Sequence, residues 1–242
     1  MRLLHTTTGR FHIFDDPWTV RYAILSHVWA RENDRFFPEP TLQDVVRIQA
    51  EYDADPPETR ASIISRLPEK VRRFCETAAA YGFDYAWADP ICIDKTSSSE
   101  LSEAINSMFD WYRTAPAHSA GVGGSTFRRG WTLQELLAPV NLCFFSEWNV
   151  IGSKHMFAPL VEQITRIPQD ILTLRKPLGT ANVACRMSWA VRRETTREED
   201  EAYSLMGIFG VKIPTTYGED RYAFIRLQEQ ILKAVPDQSL FA

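Results

Sequence analysis

At 242 residues, with 45% apolar residues and a formal net charge of −4, the chain has enough material for a real core. It lacks the basic balance from which a phosphate-backbone binder draws its affinity, so nucleic acid is not expected as a partner. Cys75, Cys92, Cys143 and Cys185 lie far apart, with no CxxC pair and no histidine at ligand spacing, so neither a zinc site nor a disulfide framework is indicated.

No apolar run reaches the roughly eighteen residues of a membrane span, and the start, MRLLHTTTGR, lacks the apolar stretch of a signal peptide. A cytoplasmic chain without a membrane segment, its cysteines buried as thiols, is the expectation.

In chain order, the pattern predicts a short strand near Phe11 to Phe14, a turn at Asp15-Asp16-Pro17 and a strand at Tyr22 to Leu25. Leu42, Val45, Val46 and Gln49 recur at helical spacing, and the residues from Asp53 to Pro57 read as a loop. A helix entered at Pro68 carries the apolar stripe Val71, Phe74, Cys75 and Ala78 and closes at Gly82. Phe83 to Ala88 is the next strand, completing a strand, helix, strand unit whose natural outcome is a parallel sheet.

Ser97 and Glu100 have capping-box spacing before an amphipathic helix with Leu101, Ala104, Ile105, Met108 and Tyr112 on one face. Thr114 to Thr126 is rich in Ala, Gly and Ser and is expected as an exposed, poorly ordered loop without strand pairing. Asn141 to Phe145 is a further strand. From about residue 150 the pattern turns helical, through Phe157, Leu160, Val161 and Ile164, then Val183 to Val191, Ala202 to Phe209, and Tyr222 to Leu232. Thr196 and Glu199 offer a second capping box. The expected organisation is an α/β core over 1–149 and a helical extension over 150–242 packed on it.

Apolar strands that empty into polar groups mark sites in open α/β sheets. Two such places are Ser26, His27 and Trp29 in YAILSHVW, and Asp89 and Asp94 in YAWADPICIDK. Ser26 and His27 are adjacent and leave a strand on opposite faces, so they cannot pair as nucleophile and base. Both fit equally as hydrogen-bonding strand ends, and Trp29 fits a pocket wall. Asp89 and Asp94 read either as an acid/base or divalent-metal pair or as caps of the loop and helix start.

Glu135 sits in WTLQELLAP among Trp131, Leu133, Leu136 and Leu137 on a short helix ended by Pro139. A carboxylate in such apolar company is either paired with an arginine, Arg128 and Arg129 being close, or kept for chemistry. The mixed-charge run from Arg192 to Glu201 reads as a solvated loop; the competing reading has Arg192 or Arg193 reaching a phosphate.

The ordered set YAILSHVW, WADPICIDK, ELSEAINSMFDWYRTA, RGWTLQELLAP, RMSWAVRRETTREEDEAYSLMGIF and YGEDRYAFIRLQEQIL resembles the fungal heterokaryon-incompatibility (HET) domain family. That resemblance implies a role in fungal non-self recognition and programmed cell death. It also implies a TIR-like, flavodoxin-like parallel sheet flanked by helices, with the motif region at 22–138, because HET domains are regarded as distant relatives of TIR domains.

Some TIR domains cleave NAD with a glutamate in a W-C-x-x-E-L-like motif, which Trp131 to Leu136 resembles. Glu135 is the catalytic candidate by that resemblance, with Ser26, His27, Trp29, Asp89, Asp94 and Trp131 as substrate-binding candidates, NAD as substrate rather than cofactor, and no metal. Where HET domains generally carry an aromatic-rich strand, this chain has PAHSAGVGGST, so the resemblance leaves a central strand missing. The alternatives are a non-enzymatic module that self-associates or binds an incompatibility partner, and an inactive copy lacking one core strand. A solvent-reachable pocket holding Glu135 with Ser26 or Asp89 is the mark of the enzyme, and a buried Glu135 locked to an arginine is the mark of the module.

Overall fold

A computed structural model describes residues 1–26, 39–121 and 126–235. His27 and Trp29 lie outside the described residues. The chain begins with the strands β1 (Arg2–His5), β2 (Phe11–Ile13) and β3 (Tyr22–Ser26). The helices α1 (Leu42–Ala54), α2 (Ile63–Arg66) and α3 (Glu69–Ala80) follow, then β4 (Tyr85–Trp87), α4 (Asp89–Cys92), α5 (Ser98–Thr114) and β5 (Ala117–Gly121). Next come α6 (Thr132–Leu137), the strands β6 (Leu142–Ser146) and β7 (Asn149–Ser153), and the helices α7 (Lys154–Thr165), α8 (Gln169–Leu172) and α9 (Val183–Ser188). The last three are α10 (Asp200–Tyr203), α11 (Met206–Phe209) and α12 (Tyr222–Ala234).

The strands form one sheet in the order β2-β1-β4-β3-β5-β6-β7. The inner pairs β4/β3, β3/β5 and β5/β6 are parallel. The pairs β1/β2, β1/β4 and β6/β7 are antiparallel, so the sheet is mixed and the wholly parallel, flavodoxin-like sheet is not what forms. The α/β class stands. Short connections join the edge hairpins β1/β2 and β6/β7, whereas the inner parallel strands are joined by helical crossovers.

A central strand also fills the stretch expected to be a loop. β5 pairs with β3 on one side, from Ala23↔Ala117 to Ser26↔Ala120, and with β6 on the other, from His118↔Leu142 to Gly121↔Phe145. AHSAG has little strand propensity of its own, but two buried neighbours present open hydrogen-bonding edges to it, and ladder formation overrides local preference. No core strand is missing.

The β6/β7 hairpin was likewise invisible to periodicity. Its turn residues Glu147 and Trp148 have φ of 48° and 67°, the two positive values of a type I′ turn, without the Asn-Gly signature that usually betrays one.

Helix ends follow the sequence in part. Asp44 and Thr41 form a reciprocal capping box at α1, which runs through Ala54 and shortens the loop expected from Asp53. Phe74, Cys75 and Ala78 bury the expected face of α3, and Gly82 closes it at φ 78°. Ser97 caps Glu100, but the Glu100 carboxylate turns instead to the Asp94 amide at 2.8 Å and to Arg2 at 2.6 Å. The second capping box does not form: Glu199 accepts from the amides of Gly218, at 2.6 Å, and Asp220, pinning that loop.

Two clusters of buried side chains meet along α5. Ala104, Met108, Trp111 and Tyr112 pack with β1, β3, β4 and the helices α1 to α4. Ile105 joins Leu133, Leu136 and Leu137 of α6, Leu142 and Phe144 of β6, and the helices from α7 onward. The short helix α6 is thus clamped between the sheet and the C-terminal helices, and every one of its residues is buried.

Candidate active site

Among the parallel strands, chain order reverses at β3: β4 lies on one side of it and β5 on the other. Crevices form beyond the carboxyl ends of strands at such a switch point, and Ser26 is the last residue of β3. Its hydroxyl donates to Oε2 of Glu135, and the Tyr112 hydroxyl donates to Oε1 at 3.2 Å. Three elements, β3, α5 and α6, therefore converge on one carboxyl group.

Glu135 is 9% exposed, and no arginine or lysine forms an ion pair with it among the described residues. Burial pushes its carboxyl up to about 7, the nearby Asp89 charge adds to the rise, and the Ser26 and Tyr112 hydroxyls and the more distant Arg129 oppose it. The competing expectation, a carboxylate locked to Arg128 or Arg129, is not met. Near neutral pH this group is poised between its two states, as a general base requires.

Ser26, Thr132 and Glu135 share a cavity with Phe127, Leu136, Leu142 and Phe144. Its volume is about 10 Å³, room for about one water. Asp89 opens α4, and its carboxylate lies 3.6 Å from the Lys95 ammonium, which burial holds below its usual value. Its charge reaches both Glu135 and Tyr112.

Asp94 serves locally. It accepts from the Thr96 amide at 3.0 Å, the Thr96 hydroxyl at 2.6 Å and Gln43 at 2.9 Å, contacts that hold its carboxyl below the usual range. Trp131 is half-buried against both cores, and its side chain acts on the Asp200 carboxylate of the C-terminal helices. The structure thus brings Ser26 and Glu135 into contact and puts Asp89 within electrostatic reach. It gives Asp94 and Trp131 other partners.

Tyr112 and Thr132 escaped sequence reasoning. The one available signal was a phenol in an otherwise apolar stripe, since a buried tyrosine hydroxyl needs a partner.

The support beneath α6 comes from distant sequence. Lys154 is fully buried, and its Nζ donates to the carbonyls of Leu136, at 3.0 Å, and Pro139, at 2.6 Å, satisfying the C-terminal end of the helix. Burial lowers this ammonium to about 8. At the other end, Arg193 donates through Nη1 to the Arg129 carbonyl and the Thr132 hydroxyl, both at 3.0 Å, and Glu194 bridges to Arg129. Part of the mixed-charge run is therefore a strap across α6 rather than a solvated loop. Gly130 is required there, since a Cβ would meet the Thr195 methyl at 2.5 Å.

Cys75 and Cys92 are buried, Cys143 and Cys185 half-buried, and all four are free thiols. Among the described residues, no group of His, Cys, Asp and Glu could hold a metal ion, and no helix is long and apolar enough to cross a membrane.

These features define an α/β domain with a buried, unpaired carboxylate at the switch point of its sheet. The heterokaryon-incompatibility protein (HET) family model matches residues 22–126, and a domain of unknown function (DUF8212) matches 222–242. Vegetative incompatibility protein HET-E-1 of Podospora anserina is 38% identical over 236 residues, covering 88% of this chain but 16% of that relative. The chain carries a HET domain and belongs to that family. The chain spans about one sixth of the length of that relative. No solved structure matches the chain significantly.

Proposed function

We propose that the chain acts in heterokaryon incompatibility as a death effector, and that it does so by cleaving the nicotinamide–ribose bond of NAD at Glu135. The observation that carries the reading is the Glu135 carboxyl, buried beside a cavity, held by the two hydroxyls of Ser26 and Tyr112 and lacking an arginine partner. The likeness to an incompatibility protein supports the biological half. The strand order of the inner sheet supports a TIR-like relationship, since β4, β3, β5 and β6 stand as second, first, third and fourth parallel strand, the flavodoxin-like order.

Chemically, the C1′–N bond breaks with its electron pair going to the pyridinium nitrogen, which leaves as neutral nicotinamide. The positive charge left on the ribose is stabilised by the ionised Glu135 in a water-poor setting. A water held in the cavity beside Glu135 adds to C1′ and passes its proton to that carboxylate, which releases it to solvent. Ser26 and Tyr112 aim the carboxylate, and burial, with the Asp89 charge adding to it, keeps its proton affinity near neutrality. Expression in a fungal cell should arrest growth, and Glu135→Gln at equal soluble level should restore it. Equal toxicity of the two proteins would refute the link between this carboxylate and death.

A second reading, self-association, has its own observation. Met156, Leu160 and Ile164 stand 67%, 52% and 50% exposed along α7, beside Val150 and Ile151 of the sheet-edge strand β7. Such an apolar stripe at an open edge suits a second copy of the chain. Light scattering across a concentration series, with Leu160→Glu as control, tests it: a wild type that stays monomeric excludes this reading.

A further inference from the structure

A larger cavity lies on the other side of the α6 strap. Its volume is about 470 Å³, within the range of small-molecule sites. Ala184 and Met187 of α9, Val191, Leu205, and Phe224 of α12 give it apolar walls, and Arg193 lines it as well.

Arg193 is the chemically informative wall. Its Nε is committed to the Trp189 carbonyl at 3.1 Å and its Nη1 to Arg129 and Thr132, but Nη2 makes no hydrogen bond among the described residues, and no carboxylate pairs with this guanidinium. The Glu135 charge acts on this guanidinium without a hydrogen bond or ion-pair contact, and an oxyanion is the group that satisfies a free guanidinium nitrogen best. Glu201, at the exposed rim of the same cavity, repels a polyanion. Ser188, Thr195, Ser204 and Gln228 also line the cavity, and Met187, Leu205 and Phe224 supply its apolar contacts. Val191, 79% exposed, extends the apolar surface to the mouth.

We propose that this cavity binds a small amphipathic monoanion, an apolar-tailed carboxylate, with its oxyanion on Arg193 and its tail along Met187, Leu205 and Phe224. The inference does not depend on the chemistry at Glu135.

Calorimetric titration of the full chain with submicellar decanoate, decanol, decylammonium and inorganic phosphate tests it. Decanoate should bind one to one and at least tenfold more tightly than decanol, with decylammonium and phosphate weaker still. Ala184→Trp, which fills the cavity, should weaken decanoate at least tenfold, and Arg193→Gln should erase the preference over decanol. Should either variant fail to fold by circular dichroism, amide shifts on the wild type replace it, with decanoate expected to move Gly130 and Ser204. Equal binding of decanoate and decanol, phosphate binding as tight as decanoate, undiminished binding to a folded Ala184→Trp, or shifts confined to other residues would overturn the proposal.

Discussion

Two glutamates of this chain, Glu219 half-buried and Glu135 buried, meet opposite kinds of partner. Glu219, in the C-terminal region, receives Arg226 on both oxygens at 2.5 and 2.6 Å and the Tyr203 hydroxyl at 2.9 Å. Glu135 also receives a tyrosine hydroxyl, but a serine stands where the arginine would be. Full neutralisation makes Glu219 a brace for the loop before α12. With neutral hydrogen-bond donors in contact and the charges of Arg129 and Arg193 acting only without an ion pair, Glu135 is desolvated, raised to about 7 and in contact with a cavity. Stability favours the first arrangement; the second costs stability and is what an acid/base or charge-stabilising role demands.

The largest expected effect sharpens that contrast through pH. The unfolded Glu135 carboxyl titrates near its ordinary value of 4.5, whereas burial pushes the folded one up to about 7. Below the lower value both states are protonated and nothing is lost; between about 4.5 and 7 the unfolded carboxyl ionises while the folded one keeps its proton, so stability falls across that window and levels off above 7, where the folded state holds a desolvated charge. Glu135→Gln should therefore match the wild type in denaturant midpoint at pH 4 and exceed it at pH 8 by about 3 kcal/mol. A variant less stable than the wild type at pH 8 would place a hidden counter-charge at Glu135.

Glu219→Gln should move the other way, losing about 1 to 3 kcal/mol because Arg226 is left without its carboxylate. Thermal unfolding of the two variants side by side reads the difference in sign directly. Ser26→Ala removes a hydrogen bond that favours the charged form, so the pH at which the Glu135 penalty levels off should climb by about one pH unit while its onset stays put. Tyr112→Phe should shift it in the same direction and less, its bond being the longer one. An unchanged profile in both would separate these hydroxyls from the titration of Glu135.

Much of this was legible in the sequence, and the failures have physical causes. β3, β4 and β6 announced themselves as apolar runs, and the parallel pairing of the first two followed from the helix between them. β5 did not, because Ala117 to Gly121 is a strand by virtue of its neighbours' open edges and not of its own side chains. β7 hid behind a tight turn made of Glu147 and Trp148. Glu135 stood out by its apolar company, and Ser26 by its place at a strand end. Their contact could not be read, nor could Lys154 and Arg193 at the two ends of α6, because long-range packing decides which polar groups meet.

The most direct measurement is incubation of the purified chain with NAD at several pH values, with free nicotinamide as the readout. The account predicts release that rises as pH passes through about 7, as Glu135 ionises, and that falls by about 100-fold or more in folded Glu135→Gln. Absence of nicotinamide from a folded wild type, or release that Glu135→Gln leaves intact, would contradict it.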